Sequence, residues 1–350
     1  MMSLVIVLGV ILIVVILYMI FRIGTLVSVM RGPQKPGGFA NQVNAMLMLI
    51  FMVVSLVGFF WYSFTHGKQF EIPVASEHGV ITDHLFWITM IICVGASTVI
   101  FAVMFWITFK YQYKEGRRAS FLTDNHILEL VWTGIPAVVM ALLIFKGLET
   151  WNDITDPAKE DAEVIELVAQ QFAWTARYPG GDRQLGKIDF RLIDQTGNEF
   201  GLNLEDPNTF DDFKAQELHL PKGKEVLLKI RAKDVLHSVY LPHFRVKMDA
   251  VPGMQTHFKF VPTKSTADMR KETSNPNFNY ELACAEICGK GHFSMRLVVV
   301  VDEPADYEKW KTSQESWLKQ NPDYKKRVPE KYREMADIKS GIMPTGVAVN

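Results

Sequence analysis

Four stretches of this sequence are too long and too apolar to sit in an ordinary soluble core: Ser3–Phe21, Val43–Phe64, Leu85–Phe109 and Ile127–Leu148. At about 20 residues each, they can cross a hydrocarbon layer of about 30 Å as helices. In lipid the backbone must satisfy its own hydrogen bonds, so helices of this kind are the available solution. The first run lacks a basic leading region, a small-residue cleavage site and a lipobox-like cysteine, and therefore reads as a membrane helix instead of a signal peptide. Cys93 falls inside the third run and reads as a small buried hydrophobe.

Orientation follows from the basic residues that flank the spans. The segment after the first run carries Arg22, Arg31 and Lys35 without an acid, and the one after the third carries Lys110, Lys114, Arg117 and Arg118. Both are expected in the cytoplasm. The intervening loop "THGKQFEIPVASEHGVITDH" is net acidic and is expected outside. Four crossings then put both termini outside, with everything after Trp151 in an extracytoplasmic domain. The formal net charge of -1 conceals this asymmetry, because basic inner loops balance outer acidic segments such as "DITDPAKEDAEVIE" and "NLEDPNTFDD". Those segments read either as ordinary solvated loops or as a docking face for a basic partner.

From Val164 the pattern changes to short alternating strands punctuated by Gly, Pro, Asn and Asp. Strands are expected in "VIELVAQQFAWTARY", "KIDFRLI", "EVLLKIRAKD", "HSVYLP", "THFKFVPT", "NYELAC" and "MRLVVVVDE". So many short strands with little helical pattern predict an antiparallel sandwich or small barrel. After Glu303, "PADYEKWKTSQESWLKQN" predicts a helix with Trp310 and Trp317 on one face. The final stretch, including "IKSGIMPTGVAVN", reads as an extended tail. No C-x-x-C-H motif is present, which excludes a fused c-type haem domain.

The chemistry is concentrated in "NYELACAEICGKGHFSMRLVVVVDE", which holds two of the three cysteines, Cys284 and Cys288, followed by His292 and Met295. A disulfide suits an outside compartment, although so short a loop strains its geometry, and it leaves the histidine and methionine unexplained. Zinc accepts Cys and His, but thioether is not among its usual ligands. Copper accepts thiolate, imidazole and thioether together. A single blue copper needs one Cys. Two thiolates can bridge two coppers, which then require a second imidazole from elsewhere. "AKDVLHSVYLPHFRVKMDAVPGM" and the strand after it supply three candidates, His237, His243 and His257. His237, at the start of an apolar strand, is the most constrained of them.

With these residues assembled, the chain resembles subunit II of the haem–copper cytochrome c oxidases. The resemblance rests on "DVLHSVYLPHFRVKMDAVPG" and "CAEICGKGHFSM" and extends from about the third membrane run to Val301. It implies a cupredoxin domain carrying the dinuclear CuA centre. Cys284 and Cys288 would bridge the coppers, His237 and His292 would each bind one, Met295 would be a weak axial ligand, and the Glu286 carbonyl would serve the other copper. It also implies that the Glu286 side chain binds Mg2+ at the contact with subunit I, with weaker support from Asp249. A solvent-facing loop glutamate is the alternative.

"ILELVWTGIP" resembles the family's second conserved membrane helix, where an acid at the position of Glu129 marks the mouth of a proton-uptake channel. An acid in a first helical turn is also favoured by the helix dipole alone. "QQFAWTARYPG" lines up with the family's aromatic segment, in which many members accept electrons through a tryptophan. This chain has Phe172 there and retains Trp174 two residues later. A second departure is the additional helical pair ahead of the two membrane helices usual in the family.

The implied architecture is four N-terminal transmembrane α-helices followed by an extracytoplasmic all-β cupredoxin (Greek-key sandwich or barrel) domain and a short C-terminal helix and tail. Its parts are 1–65 (additional helices), 66–150 (anchor), 151–303 (cupredoxin domain with CuA) and 304–350 (C-terminal helix and tail). The implied function is electron acceptance from a soluble or membrane-held cytochrome c and delivery to subunit I, which alone carries haem. There oxygen is reduced to water and protons are translocated, in a bacterial-type plasma membrane, with other oxidase subunits and a respiratory supercomplex as further partners. No nucleic-acid partner is expected. A copper-free quinol-oxidase subunit II is disfavoured because every expected ligand is present. A nitrous-oxide reductase would need an additional histidine-rich catalytic domain that nine histidines do not supply, and a copper-delivery protein would want exposed ligands.

Overall fold

The computed structural model describes residues 2–30, 39–114, 116–121, 123–194 and 197–342. The Arg31 and Lys35 part of the first expected inner loop, and the part of the expected tail beyond Ile342, lie outside these residues. The four apolar runs are helices: α1 (Met2–Met30), α2 (Phe39–His66), α3 (Glu77–Lys110) and α4 (His126–Thr155). Each is long and apolar enough to cross a membrane. α4 runs seven residues beyond the expected end at Leu148, with Pro136 inside it.

The chain divides into two compact units, Met1–Phe70 with Ile91–Glu129, and Glu71–Met90 with Leu130–Asn350. In the first, the aromatic rings of Phe51 on α2 and Phe105 on α3 lie 5.8 Å apart, and Asn41 Nδ2 donates to the Tyr113 carbonyl at 3.0 Å. In the second, the start of α3 is tied to the β domain. The Arg245 guanidinium grips both carboxylate oxygens of Asp83 at 2.7 and 2.8 Å, a two-pronged geometry that Arg favours, and Ser76 Oγ donates to the Phe244 carbonyl at 2.7 Å.

The β domain is a cupredoxin-like sandwich of two five-stranded sheets. The first has the order β3-β2-β1-β5-β8 and the second β4-β10-β9-β6-β7. The strands are β1 (Glu163–Gln170), β2 (Ala173–Tyr178), β3 (Phe213–Ala215), β4 (Leu218–Pro221), β5 (Val226–Ala232), β6 (His237–Leu241), β7 (Val246–Ala250), β8 (Thr256–Phe260), β9 (Tyr280–Cys284) and β10 (Arg296–Asp302). Most pairings are antiparallel, but β1 with β5 and β4 with β10 are parallel. The mixed sheet corrects the purely antiparallel expectation.

Side chains that alternate inward fill the core, among them Ile165, Leu167, Trp174, Tyr178, Leu228, Ile230, Val239, Tyr280 and Val299. The other face of β1 is buried too. Val168 joins a second core with Phe200, Leu202, Phe210, Trp317, Leu318, Val328 and Ala336. The segments 186–194, 197–212 and 315–342 thus roof the first sheet.

Several sequence expectations change here. "VIELVAQQFAWTARY" is a hairpin turning at Gln171 and Phe172, which pairs Gln170 with Ala173. "KIDFRLI" is a 3-10 turn over Phe190–Leu192 capped by Asp189, so its alternating apolar residues do not mark a strand. Downstream, α5 (Thr266–Glu272) has a Ser265 capping box. The single helix expected after Glu303 is broken into α6 (Pro304–Thr312) and α7 (Trp317–Gln320). Trp310 packs on the sandwich core and Trp317 in the roof, so they share no helical face. The expected extended tail is instead helical as far as α8 (Arg333–Lys339).

Candidate metal centre

Two strands of the second sheet and the loop leaving one of them bring the sulfur and imidazole groups together. β6 begins at His237 and β9 ends at Cys284, and their register pairs Val239 with Cys284. Beyond β9 the Ala285 N–H donates to the Ser238 carbonyl at 3.0 Å, and the Cys284 N–H donates to the Met295 carbonyl at 3.1 Å. Those two bonds close the ends of the loop. Inside it, a 3-10 turn over His292–Ser294 folds His292 back towards the cysteines.

Cys284 Sγ lies 3.8 Å from His237 Nδ1, 3.9 Å from Cys288 Sγ and 3.2 Å from the Glu286 carbonyl oxygen. Cys288 Sγ lies 3.7 Å from His292 Nδ1 and 3.8 Å from Met295 Sδ. Both cysteines are free, so the disulfide reading falls. Ligands about 2.0–2.3 Å from one tetrahedral ion are roughly 3.3–3.8 Å apart. The spacings found are close to those of donors around metal. The donor atoms of His237, Cys284 and Cys288 all lie within 4.8 Å of one another. Each sulfur has its own imidazole; the thioether adjoins Cys288 and the carbonyl adjoins Cys284. Thiolate, imidazole and thioether together are a donor set that suits copper.

His237, Cys288 and Met295 are buried, and burial, reinforced by the neighbouring Cys284, pushes the Cys288 thiol up to about 11. Without a cation the pocket therefore favours the protonated thiol, and a bound metal would displace that proton. On the far side of His237, Nε2 meets Asp234 Oδ1 at 2.9 Å. A carboxylate there fixes the tautomer that turns Nδ1 towards the sulfur.

Of the three histidines left open by the sequence, the structure brings only His237 to the cysteines. His243 packs its ring against Phe278 and Tyr280, and His257, on β8, lies 3.0 Å from the Thr155 carbonyl. Phe172 is 38% exposed and Trp174 only 5%. The Trp174 ring meets that of His237 edge-on at 6.0 Å. Phe172 rests on the loop's glycines: a Cβ on Gly289 would come 3.1 Å from its ring and one on Gly291 2.6 Å. Glu286 and Asp249 are both exposed. Glu129 sits in the first turn of α4, 3.6 Å from His126 Nδ1, in the other compact unit.

Asp234 and the Gly289–Gly291 cradle were not singled out from the sequence. The signal was present in "KDVLH", where an acid precedes a ligand by three residues. The outer acidic segments are partly spent inside the fold: Asp206 caps a 3-10 turn, Asp212 pairs with Arg177, and Glu163 pairs with Lys311.

The chain is similar to known proteins over both its membrane-spanning and its β-sheet parts. Residues 164–302 match the family model described as "Cytochrome C oxidase subunit II, periplasmic domain", and residues 68–150 match "Cytochrome C oxidase subunit II, transmembrane domain". The alternative cytochrome c oxidase subunit 2 of Bradyrhizobium diazoefficiens is 36% identical over 252 residues, covering 70% of this chain and 84% of that protein. Cytochrome c oxidase subunit 2 of Thermostichus vulcanus is 28% identical over 286 residues, covering 74% and 82%. Among solved structures, the periplasmic domain of subunit II of cytochrome oxidase from Bradyrhizobium japonicum is similar at 23% identity and a TM-score of 0.30, over 45% of this chain and 94% of that one. Residues 1–67, which include α1 and α2, lie outside both family matches.

Proposed function

The chain belongs to the cytochrome c oxidase subunit II family, and we propose that it is the electron-accepting subunit of a respiratory haem–copper oxidase, receiving electrons from a cytochrome c at a dinuclear copper centre. The observation that carries this reading is the pairing of two free cysteines, each with its own imidazole. Copper, when bound, supplies the one-electron redox step. The chain's own residues do the rest. His237, Cys284, Cys288, His292, Met295 and the Glu286 carbonyl hold the metal; the buried walls exclude water; and Asp234 orients His237. A copper-free scaffold would have no use for this donor set.

The exposed Phe172, lying on the loop between Cys288 and His292, is suited to receive the electron at the surface, with Trp174 packed behind it against His237. The Glu286 side chain, exposed in the metal loop, is suited to hold Mg2+ against subunit I, with Asp249 on β7, the strand beyond β6. Glu129, at a helix end expected on the cytoplasmic side, is suited to feed protons to a channel in subunit I. The donor domain would face the periplasm of a bacterial-type membrane.

Helices α1 and α2 fall outside the family matches and present apolar surface, which suits contact with a further membrane component, such as a cytochrome held in a larger respiratory assembly. Metal analysis with near-infrared and EPR spectroscopy of the full chain tests the copper reading. Two coppers sharing one unpaired electron support it, and a metal-free chain or a single blue copper refutes it. Migration in mild detergent as a lone oxidase with full turnover on soluble cytochrome c would count against the assembly.

A further inference from the structure

Every candidate metal donor comes from the second sheet and its loop, yet the β1–β2 turn of the first sheet also reaches that loop. Gln171, at the turn between β1 and β2, donates through Nε2 to the Cys288 carbonyl at 2.6 Å. Its backbone N–H donates to Asp234 Oδ2 at 2.6 Å, and Asp234 Oδ1 meets His237 Nε2 at 2.9 Å. Cys288, Gln171, Asp234 and His237 therefore form an unbroken line of hydrogen bonds behind the donor set. It joins a ligand of the Cys284 half to the sulfur that adjoins His292 and Met295.

We propose that Gln171 is a positioning residue of the metal centre, which holds the two halves of the donor set in register by clamping Cys288 to the carboxylate behind His237. This inference rests on the copper reading above. The residue after it supplies a second contact from the same turn, since the Phe172 ring covers Gly289 and Gly291. Residues 288–291 are thus gripped at the carbonyl before the glycines and over the glycines themselves. The stretch's other hydrogen bonds stay within the loop, from the His292 N–H to the Gly289 carbonyl at 3.2 Å and from the Ser294 N–H to the Gly291 carbonyl at 3.1 Å; Gly289 adopts a φ of 134° that side chains rarely tolerate, and Lys290 is exposed. Outer hydrogen bonds of this type orient metal ligands and tune affinity. Gln171 also borders a cavity of about 550 Å³ with Phe190, Ile193, Lys233 and Asp234, so water has access to the bond if the amide is removed.

The link to Asp234 runs through the backbone, so changing the side chain cuts only the Cys288 end. Gln171→Met keeps the length and loses the donor. Gln171→Glu keeps the shape and turns an acceptor on the carbonyl. In the copper-loaded full chain, Gln171→Met should keep the copper content and thermal midpoint of the unaltered chain. It should release copper to a chelator about 10-fold faster and show unequal hyperfine splitting from the two coppers. Gln171→Glu should release copper faster still. Unaltered splitting and release rates in both variants would overturn the proposal. Absence of a shared-electron signal from the unaltered chain would instead remove the copper reading on which it stands.

Discussion

The sandwich contains two buried polar clusters that are built on opposite plans. Under the roof of the first sheet, Arg177 donates to Glu166 and to Asp212, each at 2.6 Å. Arg231 meets Glu166 at 2.9 Å and donates to the Phe200 carbonyl at 2.6 Å. Two cations face two acids, so the cluster closes on itself. Burial opposes the Glu166 charge, but Arg177 and Arg231 outweigh it and hold that carboxyl below its usual range. In the second sheet, thiols, imidazoles and a thioether face one another at 3.7–3.9 Å with no cation among them. Both clusters are polar and largely withdrawn from solvent, and the difference lies in charge. One is complete as protein, whereas the other gathers sulfur and imidazole donors without a countercharge, a set suited to a metal ion.

That contrast can be broken from either side. The largest effect is expected for Cys288→Ser, which should abolish the shared-electron copper signal and cut electron delivery by more than about 100-fold, with the fold retained by circular dichroism. An unchanged signal would mean that the sulfurs are not the ligands. Arg177→Met should do the reverse. It leaves Glu166 and Asp212 short of a cation and should cost about 3–5 kcal/mol in stability, measured by denaturant unfolding, with the copper spectrum of the folded fraction unaltered.

Asp212 offers a finer test. Burial pushes its carboxyl up to about 7, against the pull of Arg177. The unfolded carboxyl titrates near 4, so between these values the folded chain holds the extra proton. The contribution is full below the lower value, and stability should fall as pH rises towards the upper one, by at most about 1.4 kcal/mol per pH unit. Asp212→Asn, whose amide oxygen can still accept from Arg177, should flatten that decline; equal slopes for both chains would exclude Asp212 as its source. The smallest effect is expected for Asp234→Asn, which keeps a group beside His237 but loses the carboxylate. Copper retention against a chelator should drop about 10-fold, and equal retention would show that the tautomer is fixed by something else.

The two clusters were not equally legible in the sequence. Cys284, Glu286, Cys288, His292 and Met295 fall within one short loop, so their chemistry could be read without knowing the fold. His237 was one of three histidines until the register of β6 against β9 set it beside Cys284. The four membrane runs were readable because a long apolar stretch has few alternatives. The charged cluster was hidden, since Glu166, Arg177, Asp212 and Arg231 are spread through the sequence, and Glu166 and Asp212 belong to acidic segments that read as solvated loops or a docking face. What buries them is the roof, whose aromatic and aliphatic residues are sparse and irregularly spaced. Ser313 interrupts the helix that would have put Trp310 and Trp317 together, and the cap at Asp189 turns "KIDFRLI" out of any sheet. Contacts of this kind are set by tertiary packing and leave no period to read.

The proposed function requires the sulfur and imidazole cluster to hold two coppers as one electronic unit. EPR of the copper-loaded full chain, combined with its copper-to-protein ratio, tests this most directly. Two coppers per chain and one unpaired electron with equal hyperfine coupling to both nuclei are expected. A spectrum from one copper nucleus, or a chain that retains no copper after dialysis, would contradict it.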